Sequence, residues 1–117
     1  MTKTIALKQN KLILESIIFT EVVKKLCRNL LDENLLFVKK NLEECISDLP
    51  KLMRKYLDSD DRVARIRHLV QIQGLVDECY EYLELISRTR QGDISPVINE
   101  LNKFTKRFEA VNRNYIH

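Results

Sequence analysis

Tryptophan is absent from this 117-residue chain, and glycine and proline occur only twice each. Two glycines are too few for a phosphate-cradling loop or a dinucleotide fingerprint, and so few turn formers do not suit a turn-rich sheet. Histidine is equally scarce. His68 has Arg65 three residues before it, and His117 ends the chain, so neither a His-Glu-x-x-His zinc motif nor the paired Glu-x-x-His of a di-iron bundle can be assembled. Cys27, Cys45 and Cys79 are odd in number, far apart and without a CxxC pair. They read as small buried thiols in a reducing compartment, not as a disulfide framework or metal site. No stretch reaches the 18 or so uncharged apolar residues of a membrane helix, and Lys3, Lys8, Lys11 and Glu15 interrupt any leader-like run. The expectation is a soluble, cytoplasmic, non-enzymatic protein without cofactor or metal.

What the chain does have is helical period. Hydrophobic residues make up 44% and charged residues 32%, which predicts a single all-α domain spanning residues 1–117. The longest periodic stretch runs from Asp60 to Arg90, with Val63, Ile66, Leu69, Val70, Ile72, Val76, Cys79, Tyr80, Leu83 and Ile86 as its inward stripe. Asp58, Ser59 or Asp60 can cap its start; Arg88 and Arg90 suit its end, which Gly92 closes. Gly74 in its middle costs about 1 kcal/mol relative to alanine, and the simplest reason for it is close packing by a neighbouring helix backbone.

Three further helices flank this one. The first is expected from about Ile5 to Leu30, burying Ile13, Ile17, Val23, Leu26, Cys27 and Leu30. Leu12, Leu14, Ile18, Phe19 and Val22 add a second apolar flank, which self-association or full burial would explain. After the capping residues around Asp32 comes a second helix, Leu35 to Leu57, with Leu35, Val38, Leu42, Cys45, Leu49, Leu52 and Tyr56 near heptad spacing. Pro50 predicts a kink near Ser47-Asp48-Leu49, whose hydroxyl and carboxylate can cap the restart. Asp93 or Ser95 caps a last helix from Pro96 to about Asn114, with Val97, Leu101, Phe104, Phe108, Val111 and Tyr115 inward. Short links between four such rods predict an antiparallel up-down four-helix bundle, the second helix kinked near Pro50.

The twenty basic residues nearly balance seventeen acidic ones, for a formal charge of +3, so any anionic partner must meet a local patch. Lys51, Arg54 and Lys55 are spaced i, i+3, i+4; Lys103, Lys106 and Arg107 repeat that spacing, and Arg62 and Arg65 open the long helix. Residues so spaced share a helix face, and a face of lysine and arginine follows phosphates without reading sequence. These eight are the candidate RNA-binding residues. Glu43-Glu44 and Asp77-Glu78 read as solvated faces.

Arg67-His68-Leu69-Val70-Gln71-Ile72-Gln73-Gly74-Leu75-Val76-Asp77-Glu78, followed by Leu83, resembles the third-helix run of one bacterial family. That family comprises the four-helix-bundle proteins encoded in intervening sequences of large-subunit ribosomal RNA genes, together with Avd, the accessory variability determinant of diversity-generating retroelements. Arg67, Leu69, Gly74, Glu78 and Leu83 match at the same spacing, whereas His68 and Leu75 stand where an aromatic and a small serine are usual. The second helix, kinked around Asp48-Leu49-Pro50, is similar to the family's proline-containing one, without the asparagine and glutamate-glycine that follow that proline there. The resemblance implies a non-enzymatic homo-oligomer, a ring-like pentamer in Avd, that binds structured RNA and a reverse transcriptase through basic surfaces. The alternative reading is a protein–protein adaptor or regulator of a phage or mobile element with no nucleic-acid binding.

Overall fold

A computed structural model describes residues 3–89 and 93–116. Among them there are helices and no strands: α1 (Lys3–Asn29), a 3-10 turn (Glu33–Leu35), α2 (Leu36–Ser47), α3 (Leu49–Asp58), α4 (Arg62–Arg88) and α5 (Ser95–Ile116). α2 and α3 are the two halves of one kinked rod, so the architecture is an antiparallel up-down four-helix bundle, 48 × 24 × 17 Å.

Asp residues punctuate it. The Asp32 carboxylate accepts from the Asn34 N–H at 2.9 Å and opens the 3-10 turn. Asp61 accepts from the Val63 N–H at 3.2 Å and starts α4, one residue past the last of the expected caps Asp58, Ser59 and Asp60. Asp93 accepts from the Ser95 N–H at 3.0 Å and starts α5. At the kink, neither Ser47 nor Asp48 caps the restart: Ser47 donates back to Glu43 O at 2.7 Å, and Asp48 makes no side-chain cap bond. Pro50 itself solves the problem, because it stands in the first turn of α3, where a backbone donor has no intrahelical acceptor in any case. Arg90, Gly92, His117 and the side chains of Ile5 and Tyr115 lie outside the described residues.

Around the bundle α5 lies against α1, α1 against α2 and α3, and these against α4, while α4 and α5 meet only briefly. Four rings hold the centre. Phe19 and Phe104 stack at 6.4 Å, Phe104 and Phe108 at 5.9 Å, and Tyr56 meets Phe108 edge-on at 5.5 Å. The Tyr56 hydroxyl donates to Asn112 Oδ1, so its burial leaves no unmet donor. In the kinked rod the buried arc is wider than the expected seam and takes in Ile46, Met53 and Leu57, because that rod has α1 on one side and α4 on the other.

Two stripes turn out differently from expectation. In α1, Leu12 and Phe19 of the second flank are buried while Leu14 and Ile18 face outward, so that flank is divided between core and surface, and Ile17, expected in the buried stripe, is exposed beside Ile18. In α4, Leu69 and Val76 are half-buried and Ile72, Leu75, Cys79, Leu83 and Ile86 buried, but Val63, Ile66, Val70 and Tyr80 are exposed. The cause is a phase jump: Ile72 follows Val70 by two residues, about 200° around the helix, so Val63 and Val70 belong to a separate stripe on the far side. Gly74 also departs from expectation. It is exposed, and a β-carbon built on it would meet nothing within 4 Å, so no helix of this chain packs against it.

Truncating the ring column should therefore be costly. Phe104→Ala is expected to lose about 3–5 kcal/mol of unfolding free energy, against a change within about 0.5 kcal/mol for Leu31→Ala at an exposed site, as measured by urea denaturation.

Candidate nucleic-acid interface

α3 presents Lys51, Arg54 and Lys55 to solvent. Lys51 and Lys55 line a groove of about 510 Å³ between the kinked rod and α4, floored by Cys45, Leu52 and Leu75 and edged by Asp48, Gln71, Gly74 and Glu78. None of the three cations is in an ion pair among the described residues. The short link from Asp58 to Arg62 keeps the start of α4 beside the end of α3. Arg62 is exposed there, and half-buried Arg65 turns back so that its Nη1 donates to Ser59 O at 3.5 Å. Three of the eight expected cations thus stand on α3, and Arg62 and Arg65 at the adjoining start of α4.

The other three do not join them. Lys103, Lys106 and Arg107 border a shallow depression of about 540 Å³ with Glu15, Ala110 and Val111, on the α1–α5 side. Lys103 pairs with Glu100 at 3.3 Å, and Arg107 pairs with Glu15 of α1 at 3.1 Å. Arg107 is therefore committed to the α1–α5 seam, and the expected pair of equivalent basic faces becomes one open corner and one partly neutralised side. Sequence reasoning did not include Gln71 and Glu78 in the groove. Their spacing about Gly74, three before and four after, was the available signal.

Two thiols, Cys45 and Cys79, lie at this groove. Cys45 Sγ is 3.9 Å from Cys79 Sγ and donates to Leu75 O at 3.5 Å; all three cysteines are free. The bond with Cys45, and then burial, pushes the Cys79 thiol well up. Burial, with Glu43 nearby, pushes Cys27 from 9.0 to about 11, so it is not a thiolate at neutral pH. The His68 ring Nδ1 lies 3.2 Å from Gln71 Oε1. No group of three His, Cys, Asp or Glu suited to a metal ion occurs among the described residues, and none of the described helices is long and apolar enough to cross a membrane. The Asp93 carboxylate is held below its usual range by the Ser95 N–H.

No family model matches this chain, and no curated protein or solved structure matches it either.

Because the unfolded Cys27 thiol ionises near 9.0 and the folded one near 11, the unfolded state binds fewer protons between those values. The contribution of Cys27 to stability is complete below pH 9.0 and falls as pH rises toward about 11. Denaturant midpoints on either side of that window should show the gap between the native chain and Cys27→Ala narrowing at the alkaline side.

Proposed function

We propose that this chain is a non-enzymatic accessory protein that self-associates and binds structured RNA through the α3–α4 corner, with Lys51, Arg54, Lys55, Arg62 and Arg65 as phosphate contacts. The observation that carries this reading is the exposed trio Lys51, Arg54 and Lys55 on α3, beside an open groove and without carboxylate partners among the described residues, with Arg62 and Arg65 at the adjoining start of α4. Side chains of this kind bind by releasing counterions from the phosphate backbone, which makes affinity steeply salt-dependent and largely independent of sequence. Lys103, Lys106 and Arg107 make a secondary contribution, since two of them already answer a glutamate. Self-association is supported by apolar side chains left at the surface, Leu14, Ile17 and Ile18 on α1 and Val63 and Val70 on α4. The resemblance of the α4 run to Avd and the intervening-sequence proteins supports the same class, with a reverse transcriptase as the protein that the RNA is brought to.

The adaptor reading, without nucleic acid, draws its support from the same outward α1 residues. Filter retention of structured RNA across a salt series separates the two. Removing one phosphate-binding cation lowers the slope of log affinity against log salt by about 0.7–0.9, so Lys51→Ala/Arg54→Ala/Lys55→Ala should flatten it by about 2. Lys103→Ala/Lys106→Ala should leave most of the binding intact. Absence of retention at low salt, or a triple variant with the native slope, refutes the RNA reading and leaves the adaptor.

A further inference from the structure

Gly74 is the starting point. It sits mid-helix at a cost of about 1 kcal/mol, exposed, with nothing of its own chain near the place a β-carbon would occupy. Nothing described in the monomer requires a bare backbone there. At 100° per residue, Val63, Arg67, Val70, Glu78, Glu81, Leu85 and Arg88 fall within about 40° of Gly74, and all of them are exposed. Val63 is 64% exposed, Val70 60% and Leu85 43%, unusual values for side chains of this kind on one outward stripe.

Part of the stripe is mirrored about the glycine. Counting eleven residues either way from Gly74 reaches Val63 and Leu85; counting seven reaches Arg67 and Glu81; counting three reaches Gln71 and Asp77. Val63 thus mirrors Leu85, Arg67 mirrors Glu81 and Gln71 mirrors Asp77; Val70 is the exception, since it mirrors Glu78. The charges of α4 are largely sorted along its length: from Arg62 to Gln73 there is no acid, and Asp77, Glu78, Glu81 and Glu84 follow in the second half, where the one cation, Arg88, pairs with Glu84. Arg67 and Glu81 have no ion-pair partner among the described residues. Within one helix they are about 21 Å apart along the axis, too far to answer each other.

We propose that the outward face of α4 is a homodimer interface, in which two copies pair antiparallel about a two-fold axis passing by Gly74. Arg67 of each copy meets Glu81 of the other, Val63 meets Leu85, and the two glycines let the helix backbones cross closely. A parallel pairing would set arginine against arginine and acid against acid, so the charge pattern selects the antiparallel register. An isologous contact of this kind closes at two copies and cannot propagate into a ring. The same axis brings both α3 segments to one side of the dimer, so the two basic corners share a face. The proposal rests on the self-association part of the functional reading and not on RNA binding.

Light scattering and sedimentation over a concentration series read it out. The native chain should reach twice its 13.9 kDa mass. Gly74→Gln, which keeps good helix propensity but fills the crossing, should raise the dimer dissociation constant by about tenfold or more, as should Arg67→Glu or Glu81→Arg alone. The exchanged pair Arg67→Glu/Glu81→Arg should restore it, since those residues can meet only across two copies. Circular dichroism of each variant establishes that it is folded. A native chain that stays monomeric overturns both self-association and this interface. A larger assembly, or one indifferent to these variants, or an exchanged pair that stays monomeric, overturns the α4 interface while leaving self-association and RNA binding to their own tests.

Discussion

The column of rings formed by Phe19, Phe104, Phe108 and Tyr56 is the contact on which the arrangement of the helices depends. It draws α5 against α1 and reaches through the core to α3, using large planar surfaces that lose little side-chain entropy and gain from stacked and edge-on geometry. With α5 anchored there, α4 is held mainly by the kinked rod on its other side. A cleft of about 200 Å³ separates it from α5, bridged at the surface by the Tyr80 hydroxyl donating to Asn102 at 3.1 Å. The bundle is closed tightly on three sides and loosely on the fourth, and the least committed helix carries the most unusual surface.

Charge follows the same geography. Arg107 is drawn into an inter-helix ion pair because α5 and α1 are in close register, and Lys39 donates to Leu30 O at 2.6 Å, where the end of α1 leaves carbonyls without helical partners. These cations help to hold the fold. Lys51, Arg54 and Lys55 stand on a segment whose opposite side is fully occupied by Leu49, Met53 and Tyr56, and nothing inside the molecule requires their charge. Basic residues that the fold leaves alone are the ones available to a phosphate backbone.

The helical class, the four rods, the break near Pro50 and nearly all of the last helix were legible in the sequence, because strongly periodic segments with Asp or Ser at their starts leave few alternatives. Val97, Leu101, Phe104, Phe108 and Val111 are all buried as their spacing demands. What the sequence concealed was phase. The steps through Val63, Ile66 and Val70 look continuous with those through Ile72 and Cys79 until the two-residue jump is placed on a wheel, and only then do they separate onto opposite faces. The placement of the cations was half visible: local spacing puts three on one face, but whether two such faces adjoin depends on which helices are neighbours, a property of the closed bundle. For the same reason the open space around Gly74 could be recognised only once its surroundings were known.

The most extensive seam of the molecule runs between its first and last helices, the pair most distant along the chain. Contacts of that kind must wait for all the intervening residues, and their loop-closure cost falls on the final step of assembly. During synthesis α1, the kinked rod and α4 can associate while Phe19 still lacks the ring it will stack on, so the nascent chain carries an uncovered aromatic trough until α5 arrives. In the folded chain α5 fills that trough, so its aromatic surface stays in water until α5 has been made.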